Sequence, residues 1–130
     1  MKFYRKLSGM LDCGKRKGGY SSQMNQLTEA RVILVTFPSM EEGKRVAREL
    51  LEKELVKCVN LIPGAESLYV WEGKVQEDAE VVGVMKTVSG QVEALEEAFA
   101  KLHPYEVPEF LVIPVEQGSE AYLSWLGSAD

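Results

Sequence analysis

The sequence predicts an α+β sandwich in the ferredoxin-like arrangement, an antiparallel four-stranded sheet with both long helices on one face. Three observations carry that expectation. Apolar periodicity runs strand, helix, strand, strand, helix, strand across residues 31–115, with room for a short helix after it. The middle strands are joined by turn residues, and a helix lies between the members of each outer pair, so the pattern divides into two crossover units around a hairpin. At 130 residues the chain suffices for one domain and is short for two.

Each element has its own signal. Arg31-Val-Ile-Leu-Val-Thr-Phe37 is a β-branched apolar run closed by Pro38, a buried strand. Ser39-Met-Glu-Glu42 fits a capping box, and the helix it opens carries Val46, Ala47, Leu50, Leu51 and Leu55 on one side. Cys58 to Trp71 reads as one long strand kinked at Pro63-Gly64, because proline removes a ladder donor and glycine tolerates the bend. After Glu72-Gly73-Lys74, residues Glu77 to Thr87 form its partner, with Val82, Val84 and Lys86 on one face and Val81, Met85 and Thr87 on the other. Ser89 is placed to cap a helix bearing Val92, Leu95, Phe99 and Leu102, which must stop at His103-Pro104. Glu109 to Val115 is the fourth strand, and Gly118-Ser119 admits a last helix with Tyr122, Leu123, Trp125 and Leu126.

Charge separates the chain into two parts, 1–28 and 29–130. Residues 1–30 hold six basic and two acidic side chains, whereas residues 31–130 hold nine basic and eighteen acidic. The first part, rich in Gly and Ser, reads as a flexible basic extension, or as a mis-assigned start with Met24 the true initiator; Cys13 there reads as an exposed thiol. The second part is the folded domain. Its acidity excludes general nucleic-acid binding, which rests on neutralising phosphates. Apolar stretches such as Val32–Val35 fall far short of the ~20 residues of a membrane span. Two cysteines 45 positions apart make neither a disulfide framework nor a closed zinc site.

Catalytic signatures are missing: no Gly-rich phosphate loop, no His-Glu-x-x-His, no Cys-x-x-Cys, no serine elbow. The single histidine lies in His103-Pro104-Tyr105-Glu106-Val107-Pro108-Glu109, a link stiffened by two prolines. His103 is a metal ligand or acid/base with Glu106 or Tyr105 as orienting partner, or else it locks the link against the sheet. Cys58 is a small buried residue or, if accessible and deprotonated, a soft metal ligand. Lys86 binds an anion or reaches solvent, and Tyr69 and Trp71 share a face suited to a subunit contact or to ligand stacking.

Cys58-Val-Asn60, Ser67 to Lys74, Glu80 with Lys86-Thr87, His103 to Glu109 and Tyr122-Leu-Ser-Trp125, in that order and spacing, resemble the CutA divalent-cation-tolerance family. The resemblance covers about residues 31–127. It implies a ferredoxin-like protomer in a PII-like homotrimer built by edge-strand pairing. It also implies a cytoplasmic, non-enzymatic protein tied to tolerance of divalent metals, with copper binding known among members and no obligatory cofactor. Cys58 and His103 match positions proposed to contact metal, here Cu(II) or another divalent cation, with Glu106 as an added carboxylate. Val35 and Leu102 stand where some members have Cys and His, so a strong site needs carboxylates or more than one subunit. The alternative is a PII-like signalling or scaffold module whose inter-subunit clefts hold a small anion near Lys86, Trp71 and Tyr105.

Overall fold

A computed structural model describes residues 28–129, and the expectations placed on Cys13, on Met24 and on the rest of the basic extension lie outside the described residues. Strand β1 (Ala30–Phe37) is followed by helix α1 (Met40–Glu52), strands β2 (Cys58–Trp71) and β3 (Lys74–Val88), a 3-10 turn (Ser89–Gln91), helix α2 (Val92–Leu102), strand β4 (Phe110–Pro114) and helix α3 (Glu120–Leu126). The sheet order is β2-β3-β1-β4, antiparallel throughout. That is the expected ferredoxin-like α+β topology.

Alternation places the core. Ile33, Val35 and Phe37 of β1 and Val81 and Met85 of β3 point to one face, where Val46 and Leu50 of α1 and Leu95 and Phe99 of α2 close over them. A Cβ at Gly83 would lie 2.7 Å from Val35 Cγ2 and 2.8 Å from Phe37 Cε2, so even a methyl group there would force those core side chains to shift. The opposite, open face carries no helix over its centre. Leu34, Ile62, Val82, Val84, Leu111 and Ile113 share it by register, with Ile62 51% and Leu111 54% exposed.

Pro63-Gly64 does kink β2. The β2–β3 register slips between Ile62 and Ala65, and Gly64 sits at φ +90°. One extra residue inverts the strand's alternation. Cys58, Asn60 and Ile62 lie on the open face before the slip, and Ser67, Tyr69 and Trp71 lie there after it. Beyond Trp71 the turn residues Glu72 and Gly73 both have positive φ, which suits a two-residue hairpin, and β3 therefore starts at Lys74 instead of Glu77.

Four local expectations change. Ser39 Oγ accepts from the Glu42 N–H at 3.1 Å, but the Glu42 carboxylate turns to Arg45 and leaves the capping box half made. Leu51 is 38% exposed, off the buried stripe, and Leu55 lies past the helix end. Ser89 caps nothing with its side chain, because its hydroxyl donates to Glu29 Oε2 at 2.9 Å. The strand expected from Glu109 to Val115 is paired only over Phe110–Pro114. Ser119 does cap α3, accepting from the Tyr122 N–H. Among the described residues no helix is long and apolar enough to cross a membrane.

Candidate functional site

The link from α2 to β4 crosses the end of the sheet where β4 stops pairing with β1 at Val35. Just past that point the Thr36 carbonyl accepts a hydrogen bond from His103 Nε2 at 2.7 Å. His103 Nδ1 in turn accepts from the Tyr105 backbone N–H at 3.1 Å. An Nδ1 that accepts leaves the proton on Nε2, so the hydrogen bonds select one neutral tautomer. The ring stacks on Phe37 at 5.3 Å and touches Phe99 at 5.1 Å and Tyr105 at 4.5 Å. Burial holds the His103 pKa below its ordinary 6.5, and the hydrogen bond to Thr36 only partly opposes that.

Arg45 secures the same corner from outside. Its guanidinium grips Glu42 through two bonds of 2.8 and 3.2 Å and donates to the Leu102 carbonyl at 2.8 Å, serving the open end of α2. The hydrogen bond with Arg45 holds the Glu42 carboxyl below its usual range.

Beyond Pro104 the link meets β3. There the Tyr105 hydroxyl donates to Glu80 Oε2 at 2.9 Å. Glu80 is 2% exposed, and its Oε1, like the Oγ1 of Thr36, is buried and has no hydrogen-bond partner among the described residues. Burial, then the bond to Glu80, pushes the Tyr105 pKa well above the tyrosine range. Burial, then the Glu80 charge, raises that of Glu109. Next along the strand, Tyr69 donates to Asp78 Oδ2 at 2.6 Å. Two tyrosines and three carboxylates thus lie at the kink of β2 and along the hairpin beyond it.

The expected metal donors do not converge within one protomer. His103 has both ring nitrogens engaged, and Glu106 is exposed on the link. Cys58 sits opposite Lys86, four positions along β3 from the partner of Thr36, roughly 13 Å away. Lys86 Nζ donates to Asn60 Oδ1 and lies 3.9 Å from Cys58 Sγ. Among the described residues no three His, Cys, Asp or Glu side chains form a group able to hold a metal ion. The expected anion donors are also spread out. Tyr105 meets Glu80, six positions from Lys86 and roughly 20 Å away, and Trp71 faces Lys74, twelve positions away and roughly 40 Å.

Sequence reading missed the pairing of Glu80 with Tyr105. The available signal was an acidic residue on the same strand face as Val82 and Val84, where an unpaired charge would not be tolerated.

The comparisons with known proteins agree with the fold. Residues 31–129 match the family model described as CutA1 divalent ion tolerance protein. The divalent-cation tolerance protein CutA of Thermus thermophilus is 42% identical over 95 residues, 73% of this chain and 92% of its own length. Protein CutA of mouse is 49% identical over 92 residues, 71% of this chain and 52% of its own. The chain therefore spans about half the length of the mouse protein and of several other curated relatives it matches. Among solved structures, CutA1 from Oryza sativa superposes with a TM-score of 0.74 at 42% identity, covering 78% of this chain and 93% of that one. The Thermus thermophilus structure gives 0.73 at 41%, covering 75% and 94%. Over residues 31–129 the chain belongs to the CutA1 divalent ion tolerance protein family.

Proposed function

We propose that this protein is a non-enzymatic homotrimer acting in the cytoplasmic response to divalent metal ions, with copper or a similar cation as its ion. The carrying observation is the family match over residues 31–129, joined to relatives from Thermus thermophilus and Citrobacter koseri whose names are divalent-cation tolerance protein. The open face supports the trimer. Ile62, Leu111 and Ile113 form part of an apolar surface on a sheet whose β4 is an exposed edge, and a second copy would cover both.

In this reading the cation binds at subunit boundaries. Cys58 on the open face and the exposed Glu106 are the donors placed to reach it, and His103 joins only by giving up its bond to Thr36 or to Tyr105. The test is titration of Cu(II) into the protein and its Cys58→Ser, Glu106→Gln and His103→Ala variants, with mass measured by sedimentation. Affinity at least tenfold weaker in Cys58→Ser, on a particle of three chains, is expected. Unchanged stoichiometry and affinity in all three variants would remove the assigned donors, and a monomer at micromolar concentration would remove the trimer.

A further inference from the structure

Where β4 leaves β1, two buried side chains hold oxygen atoms that the fold itself does not use. Glu80 and Thr36 are only 2% and 5% exposed, and among the described residues Glu80 Oε1 and Thr36 Oγ1 have no hydrogen-bond partner. Register places them together. Thr36 pairs with Val82, and Glu80, two positions along β3, takes the same face as a diagonal neighbour at roughly 7–8 Å. On the other side, the last β1–β4 pair is Val35 with Phe110, so the half-buried Glu109 comes next, alongside Thr36. The charge of Glu80 is felt at Glu109, so the two carboxyl groups lie within electrostatic reach.

This group of oxygens is short of positive charge. Among the described residues neither Glu80 nor Glu109 meets a lysine or arginine, and Glu80 receives only the neutral Tyr105 hydroxyl on its other oxygen. Lys86 lies six positions along β3 from Glu80, roughly 20 Å away. Buried carboxylates are ordinarily paired with a cation or bound to a metal ion. A water between Glu80 Oε1 and Thr36 Oγ1 would supply hydrogen bonds and leave the charge uncompensated.

We propose that Glu80, Glu109 and Thr36 hold a small, hard divalent cation of the Mg²⁺ class, with water completing its shell. Two carboxylates balance a divalent ion in charge, and an all-oxygen donor set suits Mg²⁺ or Mn²⁺ better than softer ions that prefer nitrogen or sulfur. Mg²⁺ keeps several waters and is commonly held by one or two carboxylates, so no third acidic side chain is needed, and none among the described residues joins the group. Glu80 and Thr36 are already buried within one chain, so a second copy on the open face leaves them in place. The donors share no residue with the copper reading on Cys58, His103 and Glu106, and the two can fail separately.

The experiment is calorimetric titration of the full chain, stripped of metal by chelator, with MgCl₂, together with methyl spectra at substoichiometric MnCl₂. One Mg²⁺ per chain is expected, with Mn²⁺ broadening the Thr36 and Val82 methyls first. Glu80→Gln endangers the fold, so Glu109→Gln and Thr36→Val carry the test. Glu109→Gln is expected to weaken Mg²⁺ at least tenfold. Thr36→Val keeps the side-chain shape and removes only the unused hydroxyl, so a weakening of severalfold there reports a ligand and not lost packing. Cys58→Ser should leave Mg²⁺ affinity unchanged, whatever it does to copper. Absence of Mg²⁺ binding at millimolar concentration, or unchanged affinity in Glu109→Gln or in Thr36→Val, would overturn the proposal. So would broadening centred on the Ala94 and Ala100 methyls, which would show diffuse attraction to the exposed Glu93, Glu96 and Glu97 of α2.

Discussion

The Tyr105 hydroxyl reaches Glu80 Oε2 over 2.9 Å, tying the link after α2 to the middle of β3 across 25 residues of sequence. Both residues are buried, and among the described residues Glu80 Oε1 has no hydrogen-bond partner, so there this one donor serves the Glu80 carboxyl group. Removing it strands a second carboxylate oxygen. Tyr105→Phe is expected to lower stability by ~1–3 kcal/mol, the cost of leaving a buried polar group unmade. Urea denaturation checks this through the midpoint at constant slope. An unchanged midpoint would mean that the hydrogen bond contributes nothing.

His103 predicts a pH dependence. Its folded pKa lies below the unfolded value of 6.5 because burial disfavours the charged ring. Between the two values the unfolded chain binds more protons, so this contribution is complete above pH 6.5 and declines as pH falls from there toward the folded value. Glu109, raised above its ordinary 4.5, works in the opposite sense and loses its contribution as pH rises. Comparison with His103→Gln, which keeps a donor for Thr36 and does not titrate, separates the two. The stability gap between protein and variant should be widest at pH 7.5 and narrow toward pH 5. A gap of constant size would contradict the assignment of the neutral tautomer.

Gly83 offers a steric test. A methyl group there meets Val35 and Phe37, both fully buried, at distances below any normal contact. Overpacking of this kind costs about 1–3 kcal/mol, so Gly83→Ala should lower the melting temperature clearly. By contrast, a Cβ at Gly90 would meet nothing within 4 Å, and Gly90→Ala should leave stability nearly unchanged. Equal effects at the two positions would show that packing against β1 is not the determinant.

The open face makes a prediction about assembly. Ile62 is 51% exposed in the single chain, so Ile62→Asp removes no core contact. If copies cover this face, a charge placed there must be desolvated on association, and the variant should sediment as a smaller particle while keeping its far-ultraviolet spectrum. Unaltered mass would place the subunit contact elsewhere.

Legibility followed how local the cause was. The Pro63-Gly64 kink and the Ser39 and Ser119 caps could be read because each is decided within a few residues. Ser89 misled because a carboxylate sixty positions away takes its hydroxyl, and Glu42 because Arg45, one helical turn along, offers a bidentate partner in place of one backbone N–H. Leu51 looked apolar enough for the buried stripe, but the helix has turned it to the rim by that position. The candidate site was legible only as a set of residue types.

By itself, the sequence determined the order of elements, the alternating face of each strand, the turn chemistry and the family. Those depend on spacing and side-chain type within a segment. Only the tertiary structure decided that both nitrogens of His103 are engaged, that Tyr105 completes Glu80, and that Cys58 and His103 stay apart in one protomer. A period of two tells which face a residue takes, but strand register and the path of a link are relations between segments. They are settled by whichever packing buries the apolar faces together, and polar partners follow from that choice.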